Sequence, residues 1–399
     1  MKVCLITPLY EPWVIGGAER YAATLANALS NYHEVVVITT KGPTKRVQNK
    51  IRSNPNVIEM RIRNVCSLYE YISKISSIGI FKKSLYHILD IWNYSSYRQI
   101  KKIMYIEKPN LVHSHVMTGL SSSLFSAIKD SQIPHVYTTH GFELISRWPS
   151  LFRKGKPVSN FNIFDRAYIS YMRRMSSSLD AVISPSKFLM DFHIKLGYFK
   201  KSKSYVVPNG IAIPIDVSPK EDTGNEFLFI GQITEHKGPQ VAIKAFKKLK
   251  ESEPRLHIVG DGPYMDTIKR IANGDKRIFI HGFVKNKTDL NQIFNRCSYV
   301  IVPSLWQEIF GLVVIECMSK GLPVLASNTG ALPELIKDGY NGFLFGPGDV
   351  DSLYLIVKDL INDKRTLSEL SKNAIESSKR FSIENHLETI KNIYHQHAR

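Results

Sequence analysis

The sequence predicts an α/β protein built as two Rossmann-like, doubly wound parallel-sheet domains. Three observations carry that expectation. Short β-branched runs alternate with amphipathic stretches from one end of the chain to the other, the pattern of parallel strands joined by helical crossovers. The length of 399 residues exceeds what one hydrophobic core usually supports, so two domains of ordinary size are expected. Charge also divides the chain: residues 1–210 hold 29 of the 53 Lys and Arg and 12 of the 35 Asp and Glu, leaving 24 against 23 for the rest. The first part is therefore +17 and the second +1, which points to different partners.

Strand candidates in the first half are residues 2–6, 34–38, 57–62, 111–115, 135–139 and 181–183. Those in the second half are 227–230, 256–259, 278–280, 299–302, 323–325 and 342–344. The domain boundary falls at Lys200-Lys-Ser-Lys-Ser204, giving domains 1–203 and 204–380. Residues 381–399 read as a final helix, with Ser382 as cap and Ile383, Leu387, Ile390, Ile393 and Tyr394 at near-helical spacing. Such a helix would leave the second domain and pack back on the first as a strap. Open parallel sheets bind ligands beyond the carboxyl ends of their strands, so two such domains face to face imply an interdomain cleft as the active site. Cys4, Cys66, Cys297 and Cys317 lack metal or redox spacing and read as buried thiols in a reducing cytoplasm. The apolar run at the start is too short for a signal peptide, and no run of 18 apolar residues predicts a membrane span.

The richest segment is Ser304-Leu-Trp-Gln-Glu308-Ile-Phe310-Gly311-Leu312-Val313-Val-Ile-Glu316. A buried strand precedes it, and residues 310–320 read as a helix ending at Gly321-Leu-Pro323. Free N–H groups and the positive dipole end at Phe310 to Val313 would seat an anion, with Glu308 on one side and Glu316 on the other. Carboxylates accept hydrogen bonds from sugar hydroxyls, so the order carboxylate, diphosphate, carboxylate matches a nucleotide sugar. Gly231-Gln232-Ile-Thr-Glu-His236-Lys237-Gly238 follows another strand, and its lysine suits a diphosphate leaving group. Gly16-Gly17-Ala-Glu19-Arg20 opens a helix over 21–29 and lets backbone approach a phosphate or sugar. Thr138-Thr-His140 ends a strand, where a side chain can reach a ligand, and His113-Ser-His115 places two imidazoles on one strand face. No third ligand at convincing spacing accompanies that pair, so no metal site is expected.

These segments resemble the donor site of retaining glycosyltransferases of the GT-B fold, of the family 4 type that includes mannosyltransferases and sucrose and glycogen synthases. The family's Pro-Ser, Glu, Phe-Gly, Glu, Gly-x-Pro-Val, Gly and Glu-Leu-Ile appear as Pro303-Ser304, Glu308, Phe310-Gly311, Glu316, Gly321-Leu-Pro-Val324, Gly330 and Glu334-Leu-Ile336. Val206-Val-Pro-Asn-Gly-Ile211, His257-Ile-Val-Gly-Asp-Gly-Pro263 and Ile280-His-Gly-Phe-Val284 extend the likeness. The resemblance implies a retaining transfer of a hexosyl unit from a nucleoside diphosphate sugar to a hydroxyl of a glycan or lipid-linked acceptor. It implies catalytic roles for His140, Glu308 and Lys237, and donor contacts from Gly16, Gly17, Gln232, Phe310, Gly311, Leu312, Val313 and Glu316. No metal and no cofactor are implied, the nucleotide sugar being a substrate. Gln232 departs from the family, which has arginine there; His236 or a cation from the first domain could substitute. A nucleotide-sugar epimerase of similar fold and a catalytically weak binding subunit are the alternatives.

Basic and aromatic residues interleave in the first half: Lys82, Lys83, Arg98, Lys101 and Lys102 beside Trp92 and Tyr97, then Arg147, Trp148, Arg153, Lys154, Lys156, Arg173 and Arg174. That composition suits an anionic membrane surface, with nucleic acid the less favoured partner and a solvated face the plain alternative. The expected location is cytoplasmic, peripheral at the inner face of the cell membrane.

Overall fold

The computed structural model describes residues 1–13, 16–43, 55–74, 77–146, 151–153, 155–158, 160–221, 225–249, 254–362 and 364–398. Arg147, Trp148 and Lys154, named above as basic-patch residues, lie outside them. The chain divides into two compact units, residues 1–150, 160–209 and 386–399 in the first and 151–159 and 210–385 in the second.

The first five strands are β1 (Lys2–Ile6), β2 (Glu34–Thr40), β3 (Asn56–Met60), β4 (Leu111–Ser114) and β5 (His135–Thr138). A short antiparallel hairpin, β6 (Phe152–Arg153) and β7 (Lys156–Pro157), belongs to the second unit. β8 (Ala181–Ser184) and β9 (Lys203–Val206) complete the first sheet, whose order is β3-β2-β1-β4-β5-β8-β9. All its neighbours pair in parallel, Cys4 lying opposite Val36 on one side and Val112 on the other. The central strands are buried on both faces, as parallel sheets with helical crossovers require. The crossovers are α1 (Gly17–Leu29), α2 (Leu68–Ser73), α3 (Ile80–Ile91), α4 (Tyr94–Glu107), α5 (Ser123–Asp130), α6 (Ile163–Met175) and α7 (Lys187–Lys195).

The second sheet is also parallel, in the order β12-β11-β10-β13-β14-β15. Its strands are β10 (Glu226–Ile230), β11 (Arg255–Val259), β12 (Ile278–Gly282), β13 (Tyr299–Val302), β14 (Val324–Ser327) and β15 (Gly342–Phe345). They alternate with α8 (Pro239–Lys248), α9 (Met265–Ala272), α10 (Lys287–Arg296), α11 (Leu312–Met318) and α12 (Leu332–Leu335), followed by α13 (Val350–Asn362) and α14 (Lys364–Lys379). One core cluster gathers Phe246, Ile268, Leu353 and Val357, and another gathers Phe310, Val314, Ile315, Met318 and Phe381.

The last helix, α15 (Ile383–His397), starts in the second unit and continues in the first. There Leu387, Ile390, Ile393 and Tyr394 join the core of Val3, Leu5, Val37 and Val136.

Two features differ from the sequence expectation. Helix α11 begins at Leu312 rather than Phe310, because Gly311 caps it at φ +97°, a left-handed conformation outside the helix. The Lys203–Val206 segment, which overlaps the expected domain boundary and is not among the strand candidates, is an edge strand. Both sheets reverse direction of winding at a neighbouring pair, β1 with β4 and β10 with β13. The crevice beyond the carboxyl ends at such a switch point is where open α/β sheets take ligands.

Candidate active site

The switch point of the second unit brings two of the expected residues together. Lys237 lies in the loop after β10 and Glu308 in the loop after β13. Their side chains pair, Lys237 Nζ standing 2.6 Å from Glu308 Oε1. The Ser304 hydroxyl donates to the same oxygen at 2.7 Å, and Nζ lies 5.1 Å from the centre of the Trp306 ring. The two loops are joined by the Leu305 amide, which donates to the His236 carbonyl at 2.8 Å. The Ala331 amide donates to the Glu308 carbonyl at 2.7 Å. Gly330 lies so near that a Cβ there would stand 2.2 Å from that same oxygen. Glu308 is buried; burial alone would push its carboxyl up, but the charge of Lys237 and the hydrogen bonds from Lys237 and Ser304 hold it below the ordinary range.

Glu316 sits on the exposed face of α11, in the helix that follows the Glu308 loop. Leu312 and Val313 are half-buried beside the core, while Phe310 is buried against Phe381, 6.1 Å between ring centres. The Phe310 side chain is thus core packing, and only its backbone is left for a ligand. Gln232 is exposed in the Lys237 loop. Burial and then the neighbouring Lys237 charge lower the pKa of His236. His236 packs between Trp306 and Phe152, at 5.0 and 6.0 Å between ring centres. The β6–β7 hairpin, which carries Arg153 and Lys156, therefore rests beside this loop.

In the first unit, Gly16 and Gly17 open α1 after β1, but the Glu19 carboxylate accepts from the Gly16 amide at 2.9 Å, the one half of a capping box that a glycine cap allows. His140, just beyond β5, enters a buried polar cluster. Its Nε2 lies 3.1 Å from His115 Nδ1, and its ring is 5.0 Å from that of Tyr21. His113 uses both nitrogens, toward Tyr394 and Thr138. The His113 and His115 rings lie 4.3 Å apart. Burial pushes the pKa of His140 down to about 3. Among the described residues no group of three or more His, Cys, Asp or Glu is arranged to hold a metal ion.

Comparison with known proteins gives this arrangement a family. Residues 214–377 match the family described as Glycosyl transferases group 1, and residues 15–213 match Glycosyltransferase Family 4. The chain belongs to the family 4 type of glycosyltransferases. Glycogen synthase of Mycobacterium tuberculosis is 25% identical over 91% of this chain and 86% of its own. A 42.6 kDa protein of the cps region of Klebsiella pneumoniae is 24% identical over 88% and 92%. Among solved structures, sucrose-phosphate synthase from Thermosynechococcus elongatus superposes with a TM-score of 0.74 at 17% identity, covering 99% of this chain and 98% of that one. Anabaena HepE, solved in complex with UDP, gives 0.72 at 18% identity over 99% and 100%. The two parallel-sheet units of this glycosyltransferase are thus those of the GT-B class.

Sequence reasoning missed groups beside the candidate residues in each unit of the glycosyltransferase. Trp306 sits inside the quoted motif, yet nothing in its spacing marks it as a partner of Lys237. His386 and Tyr21, which meet at 2.8 Å beside His140, are 365 positions apart and leave no local signal.

Proposed function

We propose that this glycosyltransferase moves a hexosyl unit from a nucleoside diphosphate sugar to a hydroxyl of a glycan or lipid-linked acceptor, with retention and without a metal. The observation that carries the reading is the pair of half-buried Lys237 and buried Glu308 at the switch point of the second sheet. A cation and a carboxylate held together there match the two halves of the donor: Lys237 takes the diphosphate and Glu308 the sugar hydroxyls. The amides at Gly311 to Val313 add donors for the diphosphate, Glu316 holds the ribose and His140 lines the reacting face. HepE, solved with UDP and with UDP-glucose, supports a donor of this class. In the reaction the bond from the anomeric carbon to the diphosphate oxygen breaks. The acceptor oxygen bonds to that carbon on the same face, and the acceptor's proton passes to the departing diphosphate. Lys237 stabilises the charge that develops on the leaving group.

The proposed partner of the first unit is an anionic membrane, a reading that the surface of α3 and α4 supports. On α3 the exposed face is apolar, with Ile80, Phe81 and Ile88 exposed at 84, 80 and 58%, while Tyr86 is buried. Lys82 on α3 and Arg98, Lys101 and Lys102 on α4 are exposed too. Trp92, Tyr94 and Tyr97 stack between them, with ring centres 5.8–6.3 Å apart. Apolar side chains with cations and amphipathic aromatics beside them suit the boundary between headgroups and acyl chains.

The test incubates the purified protein with a panel of nucleotide sugars and a membrane lipid extract, and measures released nucleoside diphosphate. Acceptor-dependent release from one donor is expected; no release above the blank from any donor would overturn the reading. Conversion of donor without acceptor would favour an epimerase instead. The exposed Gln232, where the family has arginine, favours one rival, a weakly catalytic binding subunit, which tight donor binding without turnover would identify.

A further inference from the structure

The structure assigns His115 a positioning role: it donates from Nδ1 to His140 and thereby holds His140 as the neutral tautomer protonated on Nδ1. His115 is fully buried, its Nδ1 is 3.1 Å from His140 Nε2, and its own Nε2 has no partner among the described residues. One of the two facing nitrogens must carry the proton. If it were His140 Nε2, the neutral His115 would carry its proton on Nε2, a buried N–H with no acceptor. If it is His115 Nδ1, what remains unpaired is a lone pair. Orphaned buried N–H groups are the rarer and costlier of the two, so the second arrangement holds. Burial lowers the pKa of both rings, which agrees with neutral imidazoles.

The surroundings fix the ring positions as well as the proton. The Pro208 carbonyl, 2.7 Å from His386 Nδ1, only accepts, so that nitrogen carries the His386 proton. His386 Nε2 then accepts from the Tyr21 hydroxyl at 2.8 Å. Tyr21 has therefore spent its proton, and its ring packs 5.6 Å from His115 and 5.0 Å from His140. His140 is left with an Nδ1–H for which no described residue supplies an acceptor. Such a group gives a hydrogen bond to a ligand oxygen and cannot act as a base through Nε2. Resting on the transferase reading above, that oxygen belongs to a substrate hydroxyl.

The decisive measurement is the side-chain proton–nitrogen correlation spectrum of full-length 15N-labelled protein, with the His140 signals identified by their loss in His140→Gln. Protonation on Nδ1 is expected; protonation on Nε2 would overturn the assignment whatever the activity. His115→Leu removes the donor, so His140 should redistribute its proton, and kcat should fall about tenfold or more with little change in donor KM. His115→Asn keeps an N–H near the position of Nδ1 and should restore both. An unchanged tautomer and kcat in His115→Leu would refute the positioning role. Failure of the parent protein to turn over any nucleotide sugar would strike the transferase reading alone, since the parent spectrum still decides the tautomer.

Discussion

Glu308 is held charged against the pull of its own burial, and the residue that does this is also the proposed diphosphate ligand. Its folded pKa is lowered, so its contribution to stability is in place above the ordinary carboxylate pKa of about 4.3 and is lost as the pH falls through the lowered value. Lys237→Met removes the charge that opposes burial, leaves the Ser304 hydrogen bond in place, and should raise the Glu308 pKa, so that the acid-side loss of stability begins at higher pH. Leaving a buried charge without its partner should cost about 3–5 kcal/mol at neutral pH, measured by urea unfolding across a pH series. A variant with the parent's stability and pH profile would show that the pair does not hold Glu308. Glu316→Ala acts differently, because its carboxylate is exposed and packs no core. It should weaken nucleoside diphosphate binding by about 1.5–3 kcal/mol in calorimetry, the worth of hydrogen bonds to a charged acceptor, with no loss of fold. Unchanged affinity would remove Glu316 from the donor site. Gln232→Arg supplies the cation that the family has at this position, and should hold or raise kcat/KM for the donor. A large loss would mean the space is already filled, and Arg153 on the neighbouring hairpin becomes the residue to replace next.

At the scale of elements, the sequence displayed what local pattern encodes and hid what distant chain supplies. The central strands were visible because residues such as Val35, Val36, Val37 and Ile38 form apolar β-branched runs buried on both faces. Edge strand β9 was not, since exposed Lys203 and Ser204 follow a run of lysines and look like a linker. The two-residue strands of β6 and β7 are too short to show alternation. Glu308 and Lys237 were legible from motifs, but their direct contact joins loops 71 positions apart, which no local spacing reports. Helix α15 was legible from its apolar spacing, while its place in the core of the first unit was not: Tyr394 reaches His113, 281 positions away. Because Ile390 is fully buried in that core, Ile390→Ala should destabilise the first unit by about 2–5 kcal/mol, through lost burial plus the cavity left behind. Urea unfolding read against the parent checks this. A loss below about 0.5 kcal/mol, the range of surface changes, would mean the helix end does not pack as described.

For the whole molecule, the uneven charge and the surface of α3 and α4 converge on one partner. The first 210 residues carry +17 of the total +18, yet the proposed diphosphate ligands lie in the nearly neutral remainder. Donor binding therefore does not account for the excess. An exposed helix face bearing Phe81, Leu85 and Ile88 is costly in water and inserts readily at an interface. The nearby cations then add attraction of about 1 kcal/mol each toward an anionic surface, within a screening length of about 8 Å at physiological salt. Two terms with different salt dependence should separate in vesicle flotation. Binding should rise with anionic lipid and fall with added salt, and the double variant Phe81→Ser and Ile88→Ser should weaken it at every salt concentration. Neutralising Lys82, Lys101 and Lys102 together should flatten the salt dependence and spare nucleotide affinity, because these residues lie outside the second unit that carries the donor motifs. Equal binding to neutral and anionic vesicles would remove the electrostatic term. No binding to either would discard the membrane and leave a water-soluble glycan as the acceptor.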